Sequence, residues 1–492
     1  MRNTNYWVIA TVALSGCYTA PGYRESGVQV APAYGVAASG EPRLAGQAVG
    51  ARPRSDAVPT PAPSARYRVT VAGAPFWREI GDATLGELIV EALRTGPSVQ
   101  SAEARLAGAR AERRLSAFDL MPTVTATGSA LRSQQSIDQV PGLTSQFPRR
   151  DLYDAGFDAS WELDIFGRVQ RTVNANGALV ASEEHSLDDV QVSLAAEVAR
   201  TYFELRGAER QLAVAQRNAE NQKRTLALTQ DRLTAGRGTA FDTERARSVL
   251  QLTLAGVPAI EAQISANRHR LATLIGRPIA ELPQSVYAAA DLPRLPDTVN
   301  VGSPAELVRK RPDVLRAERQ LAASTLLVGA AQADYLPRLT LGASVGYTST
   351  RFQSLTGDGR SRLLIGPVVS FPLLDLGRVR QRVDIAGARQ DDARVQYDAT
   401  VLQALEEAET ALVTYDRSHA RVGILDDAVR SSARAAALAQ QRFEAGLTDL
   451  FQVLDAQRTL LDAENQLAQA HTSAATALVA VYKSVGGTWP VR

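Results

Sequence analysis

The chain contains the segment Asp164-Ile165-Phe166-Gly167-Arg168-Val169 and, 210 residues later, the matching segment Leu374-Asp375-Leu376-Gly377-Arg378-Val379. The same spacing relates two segments further along, Arg232 to Phe241 and Arg442 to Phe451. Upstream the spacing is 215, where Pro97-Ser98-Val99 returns as Pro312-Asp313-Val314. Self-similarity of this kind predicts a tandem duplication of about 200 residues, with a longer loop in the first copy.

Two segments with alternating polar and apolar residues precede each Gly-Arg-Val. They are residues 123–130 and 157–162 in the first copy, and 339–348 and 365–371 in the second. A period of two predicts strands with one polar and one apolar face. The alternation and the length also fit strands of a transmembrane barrel. For any one segment alone, a half-buried strand in a soluble sheet is the alternative.

Long helices are predicted after each pair of strands, because no proline occurs in residues 149–257 or 373–489. The apolar residues that recur every seven positions are Val198, Leu205, Leu212, Ala219, Leu226 and Leu233, with counterparts at Ala408, Tyr415, Val422, Val429, Ala436 and Phe443. The 210-residue spacing is a whole number of heptads, so both copies keep one coiled-coil phase. A helix from Val169 to Ala235 would be roughly 100 Å long. It would end at Gly236, and a second helix would return to Gly276.

The N-terminus predicts a lipoprotein. Residues 1–16 have a basic residue, an apolar stretch too short to span a bilayer, and the small residues Ser15 and Gly16 before Cys17. We interpret Cys17 as the lipid attachment site, and Tyr18 after it favours the outer membrane over retention at the inner one. Residues 17–75 include eight prolines and are predicted to be a flexible tether. In an exported chain, the barrel interpretation of the strands is favoured.

Composition argues against several other classes of protein. The 54 basic residues are nearly balanced by 52 acidic ones, so the net charge gives no indication of nucleic-acid binding. No apolar run approaches the roughly 20 residues of a helical membrane span. Cys17 is the only cysteine, which excludes disulfides within the chain and cysteine-ligated zinc. The histidines His185, His269, His419 and His471 show no metal-ligand or nucleophile spacing. We therefore expect no enzyme, no metal and no cofactor apart from the covalent lipid.

Four predicted strands are too few to cross a membrane alone. A sheet in lipid cannot leave its edges unpaired, and the smallest barrels have about eight strands. The strands of several chains must therefore be combined: two chains would supply eight and three would supply twelve. The polar strand faces would line a wet lumen, so the sequence predicts a conduit made by an oligomer.

The duplicated plan and the segment Gln441-Arg442-Phe443-Glu444-Ala445-Gly446, continuing to Val453-Leu454-Asp455-Ala456-Gln457, resemble the TolC-like outer-membrane factors. The lipidated NodT-type branch is the most similar. The resemblance implies an α+β membrane protein: a homotrimer with a twelve-stranded outer-membrane barrel continuous with a periplasmic α-helical barrel. It implies repeats at 76–300 and 301–492, with equatorial helices near 80–120, 300–335 and the chain end.

The implied function is the outer-membrane channel of a tripartite efflux system. Such a channel passes drugs and other toxic small molecules from an inner-membrane pump and a periplasmic adaptor protein to the exterior, without catalysis. A type I protein-secretion channel would share this architecture. A lipoprotein coiled coil without a pore is the third possibility, and it would require soluble strands.

The resemblance also implies roles for residues at the two helix turns. Three copies of Asp455 would form an acidic ring at a closed periplasmic gate, and Phe451 would narrow the same entrance. Gln452 stands where some members have a second aspartate. Thr448 stands where some have a locking arginine, so Asp242, the possible partner of that arginine, lacks it here. The turn residues implied for adaptor docking are Gly236, Gly446, Arg232 and Arg442.

If the strands hold the protein in the membrane and the lipid on Cys17 is only an additional anchor, replacing Cys17 with serine should impair targeting or trimer insertion more than conduction. Trimers of Cys17→Ser that do form should conduct like the unaltered protein in planar bilayers. Loss of conductance in correctly inserted trimers would show instead that the lipid is part of the channel.

Overall fold

The computed structural model describes residues 67–68, 76–134, 148–288, 290–293, 295–296 and 299–486. Cys17, the signal peptide 1–16 and most of the tether 17–75 lie outside these residues. The strands are β1 (Tyr67–Arg68), β2 (Thr123–Ser133), β3 (Arg150–Glu162), β4 (Val299–Asn300), β5 (Arg338–Ser349) and β6 (Ser361–Ser370). The helices are α1 (Phe76–Ile80), α2 (Ala83–Thr95), α3 (Pro97–Phe118), α4 (Arg168–Thr234), α5 (Ala240–Leu274), α6 (Pro304–Lys310), α7 (Pro312–Ala333), α8 (Leu376–Glu444) and α9 (Leu450–Ser484).

The same order of elements occurs twice. A helix, a strand hairpin, a very long helix and a 35-residue helix follow one another as α3-β2-β3-α4-α5 and again as α7-β5-β6-α8-α9. The helix predicted from Val169 to Ala235 is α4, which has 67 residues. The four predicted strands are present, although β6 ends at Ser370 and leaves Phe371 outside it.

The two long helices begin differently. In the first copy Asp164 and Gly167 adopt left-handed backbone conformations, with φ of 40° and 70°. The Asp164 carboxylate accepts hydrogen bonds from the amides of Val169 at 2.9 Å and Gln170 at 2.7 Å, so it caps α4. The second copy has leucine at the position of Asp164, and α8 begins at Leu376, before the Gly-Arg-Val rather than within it.

By its internal contacts the chain forms two compact units, each drawn from both copies. The described part of the first unit comes from Arg105–Glu184 and Arg316–Asp398. The second unit takes the described residues up to Ala104, then His185–Leu315, then those from Ala399 onward.

The first unit contains an antiparallel sheet with the order β2-β3-β5-β6. The central pair β3 and β5 joins the two copies, with Gly156 opposite Gly346. Among the residues that the structure describes, the outer strands β2 and β6 each have no partner along one edge. Every residue of β2 is exposed, and most residues of β6 are as well. This sheet therefore has two open edges and little cover on its faces.

The two faces of the sheet differ in chemistry. On one face Asp154 accepts two hydrogen bonds from Arg362, at 2.8 and 3.1 Å, and one from Thr348 at 2.7 Å. Asp158 on the same face accepts a hydrogen bond from Thr127 at 2.9 Å. The opposite face carries Val124, Ala126, Phe157, Val345, Leu363 and Ile365, as the pairing register places them. The predicted alternation is thus present, with polar groups bonded across strands.

The second unit has an apolar core around α2, α4, α8 and α9. Its fully buried side chains include Leu85, Leu88, Ile89, Tyr202, Phe203, Leu205, Tyr415 and Leu478. β1 pairs in parallel with β4, so a segment before α1 is tied to the connection between the two copies.

A buried arginine holds the connection between the two copies against α4. Arg206 is 1% exposed, and its guanidinium donates to the carbonyls of Ala288 at 2.7 Å and Ser285 at 3.0 Å. It also pairs with Glu209 at 2.8 Å and lies 5.0 Å from the centre of the Tyr202 ring. Burial raises the pKa of Tyr202 to about 12. These bonds compensate the cost of burying the charge.

Arg311 makes a second buried connection, between α7, α8 and α9. Its guanidinium donates to Asp313 and Glu407, both at 2.7 Å, and to the carbonyl of Ser484 at 3.1 Å. Because Ser484 is the last residue of α9, this arginine satisfies a carbonyl that the helix leaves without a partner. The first copy has Gly96 at the equivalent position, 215 residues earlier.

Among the described residues, α5 is the one helix long and apolar enough to cross a membrane by length and composition. One such helix is weak evidence for a span. Ala246 in its second turn is buried in a cluster with residues of α8 and α9, so that end of α5 packs against protein.

We expect Arg206→Met to lower the free energy of unfolding by about 2–4 kcal/mol, because two carbonyls and Glu209 lose a buried charged partner. Thermal unfolding in detergent, followed by far-ultraviolet circular dichroism, measures this. Arg224→Met is the matched control, since that side chain is 76% exposed. Equal stability of the two variants would contradict the structural role of Arg206.

Candidate gate at the helix turns

Two turns of the same geometry end the long helices. Gly236 after α4 and Gly446 after α8 have φ of 71° and 73°. The amide of Arg237 donates to the carbonyl of Arg232, and the amide of Leu447 donates to that of Arg442, each at 2.8 Å. This is the Schellman arrangement, which favours glycine because the turn residue must be left-handed. No atom of the described residues would lie within 4 Å of a Cβ atom at either glycine, so backbone conformation is the reason for the residue.

The helices that follow the turns start with side-chain caps. Thr239 accepts the amide of Asp242 at 3.1 Å, and its hydroxyl donates to the Asp242 carboxylate at 2.6 Å. Asp449 accepts the amide of Gln452 at 3.1 Å. The side chain of Gln452 also accepts from the hydroxyl of Thr448. Asp242 and Gln452, two predicted gate residues, therefore both take part in local capping.

An apolar cluster joins the two helix pairs directly behind the turns. Its buried members are Ala246, Phe443, Leu450, Val453 and Leu454, and its partly buried members are Leu226, Leu228, Val249 and Ala439. The cluster draws residues from α4, α5, α8 and α9, so all four helices are packed together at this end.

Arg232 fastens α4 to the end of α8. Its guanidinium donates to the carbonyls of Phe443 at 2.7 Å and Glu444 at 3.3 Å, and it lies 4.0 Å from the centre of the Phe443 ring. A cation at a helix C-terminus is favourable because the last carbonyls carry partial negative charge. Arg442, its counterpart in the second copy, is exposed. The two arginines predicted together for docking thus have different surroundings.

The remaining predicted gate residues lie at the start of α9. Phe451 is 52% exposed, although a buried cluster lies beside it. Asp455, one turn further, is exposed, and its carboxylate makes no hydrogen bond or ion pair with any residue that the structure describes. Arg245 of α5 lies 4.6 Å from the centre of the Phe451 ring. We did not predict this contact from the sequence, although Arg245 aligns with Asp455 when the two copies are matched at the 210-residue spacing.

The contacts of Arg232 and Arg245 with the phenylalanines can hold the ends of α8 and α9 against α4 and α5, or release them when they break. In the described parts of the chain, no group of three or more His, Cys, Asp or Glu side chains is placed to hold a metal ion. An exposed aromatic ring and an unpaired carboxylate one turn apart can instead narrow a passage and attract cations.

The sequence matches the family described as outer membrane efflux protein over residues 88–277 and 304–487. These two stretches contain both pairs of long helices and both strand hairpins. The chain belongs to the outer membrane efflux protein family.

Relatives of this outer membrane efflux protein are of similar length. The pyoverdine export outer membrane protein OpmQ of Pseudomonas putida is 31% identical over 433 residues, which cover 87% of this chain and 91% of OpmQ. Nodulation protein T of Rhizobium leguminosarum bv. trifolii is 28% identical over 431 residues, again 87% of this chain and 91% of the relative.

The fold is shared with a solved channel. The structure of the outer-membrane channel OprN superposes with a TM-score of 0.85 at 35% identity, covering 96% of this chain and 99% of that one. The resemblance to TolC-like channels that the sequence indicated is therefore confirmed. This efflux protein is an outer-membrane component of an efflux system, and the family is one of conduits.

We expect Arg232→Met to loosen the last turn of α8, because two carbonyls and one aromatic ring lose a cation. Hydrogen exchange of the amides in residues 441–446 should become about five- to thirtyfold faster, corresponding to a loss of about 1–2 kcal/mol. Arg442→Met removes the same charge at the exposed counterpart and should leave exchange there nearly unchanged. Similar effects of both substitutions would mean that net charge, not the contacts of Arg232, protects this turn.

Proposed function

We propose that three copies of this efflux protein form one channel: a twelve-stranded barrel through the outer membrane, continuous with a helical tunnel in the periplasm. The observation that supports it most is the four-stranded sheet with two open edges. Its strands have 10 to 13 residues, which is enough for the roughly 9–11 residues that cross a bilayer in a barrel.

The open edges require partners in lipid. Unpaired amides and carbonyls of β2 and β6 would have no water to bond with in the hydrocarbon layer, so a single chain cannot remain inserted as described. Because neighbouring strands alternate in direction through the sheet, β6 runs opposite to β2. The β6 strand of one copy can therefore pair antiparallel with the β2 strand of the next, and the ring closes by rotation.

This strand pairing alone does not fix the number of chains. A ring could close with two copies and eight strands or with three copies and twelve strands. The TolC-like resemblance favours three. The long helix α8 also has an apolar stripe in need of neighbours. Its exposed apolar residues include Ile385, Val395, Leu402, Val413, Ile424 and Leu438. A ring of helices from adjacent copies would cover this stripe, as in a coiled coil.

Efflux through such a channel also requires partners and a cargo. We propose that a periplasmic adaptor docks at the turns containing Gly236 and Gly446, near Arg232 and Arg442, and that an inner-membrane pump supplies the energy. The cargo would be small molecules, since OpmQ is named for pyoverdine export. The protein would carry no active site and no cofactor, and Cys17 would bear a lipid that anchors the tether 17–75. The two repeats, 76–300 and 301–492, would contribute equally to barrel and tunnel.

At the periplasmic entrance, Phe451 would narrow the passage and three copies of Asp455 would form an acidic ring. Gln452 and Asp242 would stabilise the starts of α9 and α5 around it. Three carboxylates about 8 Å from a passing ion, at physiological salt, would raise the local cation concentration about two- to threefold.

Planar bilayer recordings test this function. The unaltered protein should form ion-conducting channels, and Asp455→Ala should reduce cation preference about two- to threefold or raise single-channel conductance. Asp462→Ala removes an exposed carboxylate seven residues further along α9, about 10 Å away and beyond the Debye length, and should have a smaller effect.

Two outcomes would count against the proposal. A protein that inserts but does not conduct would favour a lipoprotein without a pore. If the protein conducts but Asp455→Ala gives recordings indistinguishable from those of the unaltered protein, the channel function is supported and the role of Asp455 in an acidic ring is contradicted.

A further inference from the structure

Two arginines of the first copy contact two phenylalanines of the second at the helix turns. Arg232 lies over Phe443, and Arg245 lies over Phe451, with distances of 4.0 and 4.6 Å to the ring centres. The contacts differ in strength. Arg232 also donates two hydrogen bonds to backbone carbonyls, whereas the stacking on Phe451 is the contact found for Arg245 among the described residues.

Two residues that the resemblance placed at the gate, Asp242 and Gln452, form local hydrogen bonds instead. The Asp242 carboxylate accepts from its own helix cap, Thr239, and Gln452 accepts from Thr448. The resemblance also implies that Thr448 stands where some members of the family have a locking arginine, so this chain has no cation there. Arg245 is a cation that contacts the aromatic residue proposed to narrow the entrance, and it belongs to a different helix from that residue.

The duplication explains why this pair is asymmetric. Helices α5 and α9 have the same length and start 210 residues apart, so Arg245 occupies in α5 the position of Asp455 in α9. The first copy thus has a cation where the second has a carboxylate. Phe241, the counterpart of Phe451, is 70% exposed, compared with 52% for Phe451.

We infer that Arg245 is a further gating residue, which latches the first turn of α9 to α5 by stacking on Phe451 and so keeps the entrance narrow. This inference rests on the proposed channel function. An exposed cation–π pair shifts a two-state equilibrium by a factor of only about two to five. Such a contact breaks readily, as a gate requires, while Arg232 and the apolar cluster keep the four helices together in either state.

If three copies open together, the effects multiply. Removing the latch from every copy should raise the open-to-closed ratio about ten- to hundredfold. Arg245→Gln, made in the full chain and recorded in planar bilayers, should show this increase. Phe451→Leu should produce a similar increase, and the double variant should add little to either one, because both substitutions remove the same contact. Arg245→Lys keeps a cation and should retain most of the closure.

Arg247→Gln is the matched control. It removes an equal charge two residues away on α5, from an exposed side chain paired only weakly with Glu244 at 3.6 Å. If Arg247→Gln opens the channel as much as Arg245→Gln, net charge and not the latch governs gating, and the inference is overturned. Additive effects of Arg245→Gln and Phe451→Leu would overturn it as well.

A second measurement does not depend on conduction. Hydrogen exchange of the amides in residues 450–456 should be about two- to fivefold faster in Arg245→Gln and unchanged in Arg247→Gln. Unchanged exchange in Arg245→Gln contradicts the latch even if the channel conducts. Faster exchange in a protein that never conducts would support the latch and contradict the proposed channel instead.

Discussion

Backbone hydrogen bonding in lipid is the constraint on which the rest of the structure depends. Within the described part of the chain, the four strands of this sheet pair among themselves but leave one edge of β2 and one edge of β6 without partners. In water such edges are a liability for aggregation; in a bilayer they are not tolerated. If each chain forms one part of a closed ring of several copies, neighbouring copies would cover both the open strand edges and the exposed apolar residues of α8.

Duplication supplied the elements of that part of the ring, and divergence between the copies supplied its specific contacts. The apolar stripes and the glycine turns are kept in both copies because coiled-coil phase and backbone conformation demand them. Other positions have changed: Arg311 stands where the first copy has Gly96, and Arg245 stands where the second has Asp455. The buried Arg311 bonds to α8 and to the end of α9, and the contact of Arg245 with Phe451 joins one copy to the other at the helix turns.

Sequence patterns predicted the elements well, because the periodicity of strands and helices is a local property of the chain. The end predicted for the first long helix, Ala235, is one residue beyond the end of α4. The patterns did not predict contacts between residues about 200 positions apart, such as Arg232 with Phe443, since nothing in a single sequence records which side chains meet. Aligning the two copies would have singled out Arg245 as a charge reversal. The roles of Phe451, Gln452, Asp455 and Asp242 at the gate, and of the turns in docking, stay predictions.

The number of chains in one channel tests the central claim most directly. Native mass spectrometry of the full-length protein, released from the outer membrane in mild detergent, should give a single species with three times the mass of the processed chain. A conducting species of two chains would mean that an eight-stranded barrel closes the edges. A stable single chain in the membrane would contradict the account, because the edges of β2 and β6 would then have no partner.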